Sequence, residues 1–456
     1  MKKQVSMLSG GPVKSIILFA LPIMMSSMLQ YNYAFVDNII VGRYVSDEAL
    51  AAVGSVGAIG SFIVGTALGL TSGFSIPVSH AFGAKDKNKV AEYAGNSIVL
   101  AFTIGVVISV VAHIISQPLL RLIGTPEEII DLSSAYVNIL YYGIPFQMLS
   151  NNFTAVSRSV GESRKPLYFF VVSVIMNFIL DLLFVRAFKW GVEGAAAATL
   201  ISHITAAVLN GAYVIFFNKE VGIKREHIRL TASTSLRQIK LGIPVSLQFT
   251  ITSIGSMSLQ SVVNSFGTDV IAGFTAAGRV EGLTNIPMSG LGVATQVFVG
   301  QNYGAGNYER IVKSVRKIFL LDLAVSVFMS LTLFSVGKPL VALFMSETNP
   351  GIMAAAERYI LAISQCYSLV AVLFVMRNTL QGLGFTYANS IAGIGELCGR
   401  LSIAFILTPA FGFDAVCYAG PAAWLLADIP LIIIYIFKER KFRMLYKAEK
   451  QHKKSL

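Results

Sequence analysis

Apolar residues occur along this chain in long runs that are separated by short polar links. A helix of about 20 residues crosses the roughly 30 Å hydrocarbon core of a bilayer. In lipid such a run must be helical, because no water is present to satisfy its backbone groups. The pattern predicts twelve spanning helices, near residues 15–41, 52–81, 93–116, 132–157, 167–187, 194–216, 241–265, 270–300, 316–338, 357–381, 387–408 and 413–437.

Composition strengthens the assignment to the membrane. Of the 456 residues, 54% are hydrophobic and only 13% are charged, whereas a soluble protein carries about 25% charged residues. A transmembrane β-barrel would show short alternating strands instead of long apolar runs. The predicted fold class is therefore an all-α membrane protein with twelve transmembrane helices. The first residues lack a short apolar region followed by a cleavage site, so we expect no removable signal peptide.

The links between the predicted helices lie alternately on the two sides of the membrane, and most basic residues fall in one of these two sets. One set of links holds 28 of the 36 Lys and Arg: the N-terminus, 85–89, 158–165, 218–240, 310–317, Arg377 and the tail from Lys438. By the positive-inside rule this set is cytoplasmic, which places both termini on the cytoplasmic side of the cell membrane. The net charge of +12 then reflects topology and contact with membrane lipids, and it requires no nucleic-acid partner.

The two halves of the chain resemble each other. A shift of 221 residues superposes the glycines at 57, 83 and 191 on those at 278, 304 and 412. We predict an N-terminal six-helix lobe over 1–217, a cytoplasmic linker over 218–240, a C-terminal six-helix lobe over 241–437 and a basic cytoplasmic tail over 438–456. Because six is even, the two bundles form a parallel repeat, an arrangement that secondary transporters use to place a substrate site between two bundles.

Several acidic residues fall inside predicted spans, where a carboxylate costs about 2.5–3.5 kcal/mol. Asp322 lies about one turn from the basic residues 316–317, so we predict an ion pair at the inner interface. Glu396 and Arg400 have the i, i+4 spacing of an intrahelical pair. Glu281 has no basic residue on its own helix face, and its role stays open.

Asp37 and Asp181 have no basic residue within a helical turn. Both are predicted in the outer part of outward-running helices, with Asn177 one turn before Asp181 and Thr199 at a similar depth. Two acids, an amide and a hydroxyl from three helices can converge there. Such a cluster suits a proton or a sodium ion, since burial and a second acid favour the protonated carboxyl. The alternative is two separate acids, each hydrogen-bonded in its own crevice.

With these residues in view, the chain resembles the multidrug and toxic compound extrusion (MATE) family over nearly its whole length. The resemblance rests on these segments: LPIMMSSMLQYNYAFVDNIIVGRYVSDEALAAVG (21–54), SHAFGAKD (79–86), NFILD (177–181), GAAAATLISH (194–203) and GRVEGLTNIPMSGLGVATQVFVGQNYGAGNYER (278–310). The chain looks most like the DinF-like branch. The resemblance implies two six-helix lobes around a central cavity, and export of organic, often cationic compounds in exchange for protons or sodium ions.

The resemblance also implies roles for individual residues. It makes Asp37 the coupling acid and matches Asn177, Asp181 and Thr199 to the rest of the ion site. A helix-four asparagine is matched by Asn152. The segment 243–255 lacks the helix-seven glutamate of the sodium-driven branch, which speaks against a sodium site of that kind in the second lobe.

The sequence thus predicts a secondary-active antiporter for small organic cations, and not an enzyme. We assign Asn152, Glu281 and Arg400 to the substrate cavity and Pro22, a proline inside helix one, to a hinge. We expect a monomer with no metal and no cofactor besides H+ or Na+. The alternative is a flippase of lipid-linked oligosaccharides or lipid precursors, which would line its cavity with several basic residues, whereas only Arg279 and Arg400 lie within predicted spans.

Overall fold

A computed structural model describes residues 6–344 and 349–455 of the protein, without the side chains of 32–36, 38, 58, 449, 450 and 452–455. In these ranges the chain consists of helices joined by short turns and links. No strand occurs in these two ranges. Contacts divide the chain into two compact units. Unit 1 is Met25–Ser246, and unit 2 combines the segment that ends at Met24 with the chain from Leu247 onward.

The first half of the chain forms seven α-helices. They are α1 (Pro12–Tyr44), α2 (Asp47–Ser55), α3 (Gly57–Gly83), α4 (Lys87–Leu122), α5 (Glu127–Ser159), α6 (Arg164–Asp181) and α7 (Gly191–Ala212). Two π-helical segments, Leu182–Ala187 and Tyr213–Phe217, extend α6 and α7. A single 3-10 turn, Arg225–His227, lies between α7 and the first helix of the second half.

The second half continues with nine α-helices. They are α8 (Ala232–Val263), α9 (Thr268–Gly304), α10 (Tyr308–Ala342), α11 (Pro350–Gln365), α12 (Ser368–Gly382), α13 (Tyr387–Leu401), α14 (Thr408–Phe411), α15 (Phe413–Cys417) and α16 (Ala419–Ser455). A 3-10 turn, Asn264–Phe266, follows α8, and a π-helical segment, Ser402–Leu407, follows α13.

Each predicted span is covered by helix. Within the described ranges, eight helical segments are long and apolar enough to cross a membrane, and α11 with α12 forms a ninth that is bent by 58°. The helices α5, α8 and α9 are 33, 32 and 37 residues long and cover the three remaining predicted spans. The predicted all-α membrane fold is confirmed.

The internal repeat is visible in the backbone. A π-helical segment ends the fifth predicted span at Leu182–Ala187 and the eleventh at Ser402–Leu407. Gly191 and Gly412, which are 221 residues apart, have φ angles of 62° and 61°. This left-handed conformation is one that glycine adopts without steric cost. The two halves therefore turn the chain at the same point with the same backbone geometry.

Two helices change unit part-way along their length. The boundary lies after Met24 in α1 and after Ser246 in α8, in both cases two residues beyond a proline, Pro22 or Pro244. Proline removes a backbone hydrogen bond and bends a helix. The whole segment 218–240 belongs to unit 1, and α16 continues as a helix through the predicted tail. The predicted lobe boundaries at 217 and 241 stay a prediction.

Close helix packing in unit 1 depends on glycine. A Cβ atom added to Gly73 of α3 would lie 2.3 Å from the Cα atom of Gly242 in α8. One turn away, a Cβ on Gly69 would lie 2.5 Å from Ser246 Cα. Glycines at this spacing let helix backbones approach closely in membranes. Both contacts are to backbone atoms, so a larger residue forces the two helices apart.

We expect Gly73→Ala to destabilise the protein by about 1–3 kcal/mol, because the added methyl group overpacks a backbone contact. Gly60→Ala in the same helix is the matched control, since a Cβ there meets no atom within 4 Å. Alanine favours helix over glycine, so the control should be neutral or slightly stabilising. Thermal unfolding in detergent measures both variants. Equal melting temperatures would contradict the packing argument.

Candidate functional site

Two carboxyl groups meet in unit 1. Asp37 of α1 and Asp181, the last residue of α6, are hydrogen-bonded to each other through their side chains. Asp181 is fully buried and Asp37 is 6% exposed. An ionised carboxylate has only acceptor oxygens, so two carboxyl groups can share a hydrogen bond only when one carries a proton. The predicted convergence of the two acids is therefore present in the structure.

A hydroxyl and an amide accompany the acids. Thr199 of α7 donates a hydrogen bond to Asp37 Oδ2 at 3.5 Å. Asn177 lies one turn before Asp181 on α6 and is 2% exposed. The three helices α1, α6 and α7 thus supply carboxylate, amide and hydroxyl oxygens, the ligand types that bind protons or hard cations. Whether they carry out ion coupling stays a prediction.

A tyrosine that we did not predict completes the cluster. Tyr136 of α5 is 7% exposed and interacts electrostatically with both Asp37 and Asp181. Its phenol can donate or accept a hydrogen bond. Tyrosine in a span is common, and no sequence spacing ties it to acids on other helices. Only the packing of α5 against the other helices identifies it.

The helix that carries Asp181 changes its hydrogen-bonding pattern at this residue. The α-helical segment ends at Asp181, and the π-helical segment Leu182–Ala187 follows directly. Single π-helical turns inside α-helices occur frequently at functional sites. The wider turn follows directly after Asp181 and changes the direction in which the following side chains point.

Asn152 does not reach the acid pair. It is 16 residues after Tyr136 on α5, which corresponds to about 24 Å along the helix. Its side-chain amide donates a hydrogen bond to Ser97 Oγ on α4 at 3.0 Å, and the residue is fully buried. Asn152 therefore joins α4 and α5 to each other. Its assignment to the substrate cavity has no support in its contacts.

Glu281 belongs to a polar network in unit 2. Its carboxylate accepts a hydrogen bond of 2.6 Å from the hydroxyl of Tyr359. The hydroxyl of Tyr367 lies 2.6 Å from Thr284 Oγ1 and donates to Asn285 Oδ1 at 3.0 Å. These contacts connect α9 with α11 and with the bend between α11 and α12. The structure thus gives Glu281 partners on other elements, which sequence spacing left open.

Comparison with known proteins identifies the family. The model of the MatE family matches residues 22–183 and 244–396 of the chain. The chain belongs to the MATE family. Among its relatives is the probable multidrug resistance protein YpnP of Bacillus subtilis, 30% identical, with 82% of this chain and 83% of that protein covered. Another is the probable multidrug resistance protein YoeA of Bacillus subtilis, 27% identical, with 92% of each chain covered.

Solved structures agree with the fold of this MATE protein. A crystal structure of a MATE protein in its bent conformation superposes with a TM-score of 0.88 at 24% identity, covering 98% of this chain and 99% of that one. A transporter from Pyrococcus furiosus, described as having a binding pocket of reverse polarity, superposes with a TM-score of 0.87 at 23% identity, covering 97% and 99%. The family match and the multidrug resistance relatives make the chain a multi-pass membrane transporter and not an enzyme. The assignment to the DinF-like branch stays a prediction.

A buried ion-pair network of this MATE protein lies in unit 2 and is centred on Glu396. Glu396 of α13 pairs with Arg377 of α12, and its other oxygen lies 3.6 Å from Arg400 Nη1. Thr252 of α8 donates to Glu396 at 3.1 Å. The predicted Glu396–Arg400 pair is confirmed. Arg377, which we counted with the cytoplasmic links, is 9% exposed inside α12.

The predicted pairing of Asp322 is wrong. Asp322 is fully buried, and neither of its carboxyl oxygens has a hydrogen-bond partner within the described ranges. Arg316 pairs instead with Glu439 of α16 at 3.1 Å. Proximity along α10 predicted an interfacial pair, but residues six apart lie on different faces of a helix. Asp322 therefore faces the interior of the unit, whereas Arg316 faces α16.

Proposed function

We propose that this protein exports small organic cations from the cell in exchange for protons. The observation that carries the proposal is the hydrogen-bonded pair of Asp37 and Asp181, which is buried in unit 1. The relatives named as multidrug resistance and export proteins support a small-molecule substrate. Organic cations are the substrate class that a negatively charged pair of acids can attract and then release.

The proposed exchange depends on one change of charge. When the pair loses its shared proton, the added negative charge strengthens its attraction for an organic cation, and when the proton returns, that attraction weakens. Substrate and proton therefore compete for the deprotonated acid pair. A ligand shifts a conformational equilibrium only by its differential affinity for the two states. The competition links proton entry to substrate release.

The hinge is proposed at Pro22. The two-unit division of the chain supports it, because α1 changes unit two residues beyond this proline, and α8 repeats the arrangement at Pro244. Asp37 lies on the unit 1 part of α1, about four turns beyond Pro22. A change in the proton state of Asp37 can thus bias the bend of the helix on which it lies.

Orientation and assembly are part of the proposal. We place the protein in the cell membrane with both termini in the cytoplasm, since the corresponding links hold most of the Lys and Arg residues. We also propose that it works as a monomer. The flippase alternative requires cationic side chains that are available to hold a phosphate group. Arg377 and Arg400 are both paired with Glu396, which favours the antiporter.

The test is substrate binding to purified protein between pH 5 and pH 8, with and without sodium. We expect affinity for a cationic dye to fall as pH is lowered, because protonation removes the charge that attracts the dye, and we expect sodium to have no effect. Asp37→Asn should bind the dye independently of pH. Asp131→Asn, which changes an exposed acid, should behave like the wild type.

The alternative coupling ion gives a different result. The cluster of Asp37, Asn177, Asp181 and Thr199 also offers several oxygen ligands, as sodium requires. Affinity that ignores pH and falls on addition of sodium would contradict proton coupling and support a sodium antiporter.

A further inference from the structure

A basic cavity lies at the start of α10 in unit 2. It has a volume of about 350 Å³ and is lined by Pro12, Glu309, Arg310, Lys313, Ser314 and Lys317. Three of these residues are cationic and one is acidic. The acid, Glu309, is 2.7 Å from Lys313 Nζ. The cavity therefore carries a net positive charge at the end of a membrane-spanning helix.

The equivalent position in unit 1 is filled by the chain itself. The 221-residue shift superposes Lys313 on Glu92 and Lys317 on Asn96, both on α4. Glu92 accepts a hydrogen bond of 2.6 Å from Thr234, and Asn96 accepts one of 2.8 Å from the backbone N–H of Thr231. Thr231 directly precedes α8, and Thr234 lies in its first turn. In unit 1, the residues that correspond to Lys313 and Lys317 are thus hydrogen-bonded to the chain itself.

In unit 2 the corresponding segment leads into α1 and leaves the lysines exposed. Arg310 holds it by donating hydrogen bonds to the backbone carbonyls of Met7, Ser9 and Gly10 at 3.0–3.3 Å. Lys313 and Lys317 are both exposed to solvent. The residues that precede this segment include Lys2 and Lys3, whose charge would repel a cationic cavity. Charge complementarity therefore favours an anion from outside the chain.

The cavity continues into an apolar face of α10. Leu320 follows Lys317 by three residues, and Phe328, Leu331 and Phe334 extend the same face, each between 60% and 65% exposed. In a membrane transporter, such exposed apolar side chains face the lipid acyl chains. Lysine side chains near a helix end reach toward the headgroup level of the bilayer. The basic residues and the apolar residues that contact acyl chains thus lie on one face of α10.

We propose that this cavity binds the phosphate of an anionic phospholipid headgroup, whose acyl chains lie along the exposed face of α10. Basic pockets between transmembrane helices on the cytoplasmic side are suited to such headgroups. Lys313 and Lys317 contact the phosphate, and Arg310 shapes the pocket by holding the segment before α1. The site is separate from the acid pair, and its test does not depend on the transport mechanism.

The experiment titrates phosphatidylglycerol, and phosphatidylcholine in parallel, into the full-length protein in detergent, with bound lipid counted by native mass spectrometry. We expect phosphatidylglycerol to bind preferentially. The variant Lys313→Gln/Lys317→Gln should weaken this binding by about 25-fold, from roughly a factor of five for each lysine. The control Lys85→Gln/Lys87→Gln removes two exposed lysines from the equivalent link of the first half and should change it less than twofold.

Three outcomes would overturn the proposal. Phosphatidylglycerol could bind the Lys313→Gln/Lys317→Gln variant as it binds the wild type. The control variant could lose as much affinity, which would make the effect one of total charge. Glycerol phosphate or inorganic phosphate could raise the melting temperature as much as the lipid does, which would make this a site for the free anion. Unchanged dye binding by the Lys313→Gln/Lys317→Gln variant would show that it is folded.

Discussion

Replacing Asp37 with asparagine is expected to abolish coupled export while leaving the protein folded and inserted. Asparagine has nearly the same size and can keep a hydrogen bond to Thr199, which lies 3.5 Å from the Asp37 carboxylate. It cannot gain or lose a proton, so the pair with Asp181 loses the ionisable group to which the coupling role is assigned. Dye uptake into inverted membrane vesicles under an imposed pH gradient should fall to the level of vesicles without the protein.

The control for this variant is Asp131→Asn, which removes the same charge from an exposed acid on α5. It should transport at the wild-type rate. The melting temperature of Asp37→Asn in detergent should stay near or above that of the wild type, because a neutral amide costs less to bury than an ionised carboxylate. Uptake by Asp37→Asn near the wild-type rate would refute the coupling role of this acid.

The second large effect is a lack of additivity between the two acids. We expect Asp37→Ala and Asp181→Ala each to reduce pH-driven uptake strongly, and the double variant to be no worse than the more damaged single variant. Residues that act as a unit lose function together, so their individual losses do not multiply. The direct hydrogen bond between the two side chains is the physical basis of this expectation. Initial uptake rates of the four proteins measure the coupling.

A second pair provides the comparison. The double variant Asp37→Ala/Glu281→Ala changes one residue of the acid pair and one residue of the separate network of Glu281 and Tyr359. Side chains without shared partners give nearly additive effects. Losses that multiply in this pair but not in the pair of acids would support a shared site. Multiplying losses in the two acids as well would mean that Asp37 and Asp181 work independently.

Much of the fold follows from the sequence alone. Long apolar runs without water to satisfy their backbones must be helical, which accounts for the position of every predicted span. The repeat was visible in glycine positions, and the structure gives Gly191 and Gly412 the same left-handed backbone. The depth of Asp37, Asp181 and Thr199 could be counted along their helices, because each residue advances a helix by about 1.5 Å.

Tertiary packing decided which residues at that depth face one another. The rotation of each helix about its axis and its choice of neighbours depend on contacts between distant parts of the chain, so spacing could not find Tyr136 beside the acids or bury Asp322 away from Arg316. The packing of α12 against α13 likewise brought Arg377 to Glu396. The passage of α1 and α8 from one unit to the other was equally invisible, since it depends on contacts between helices that lie far apart in the sequence.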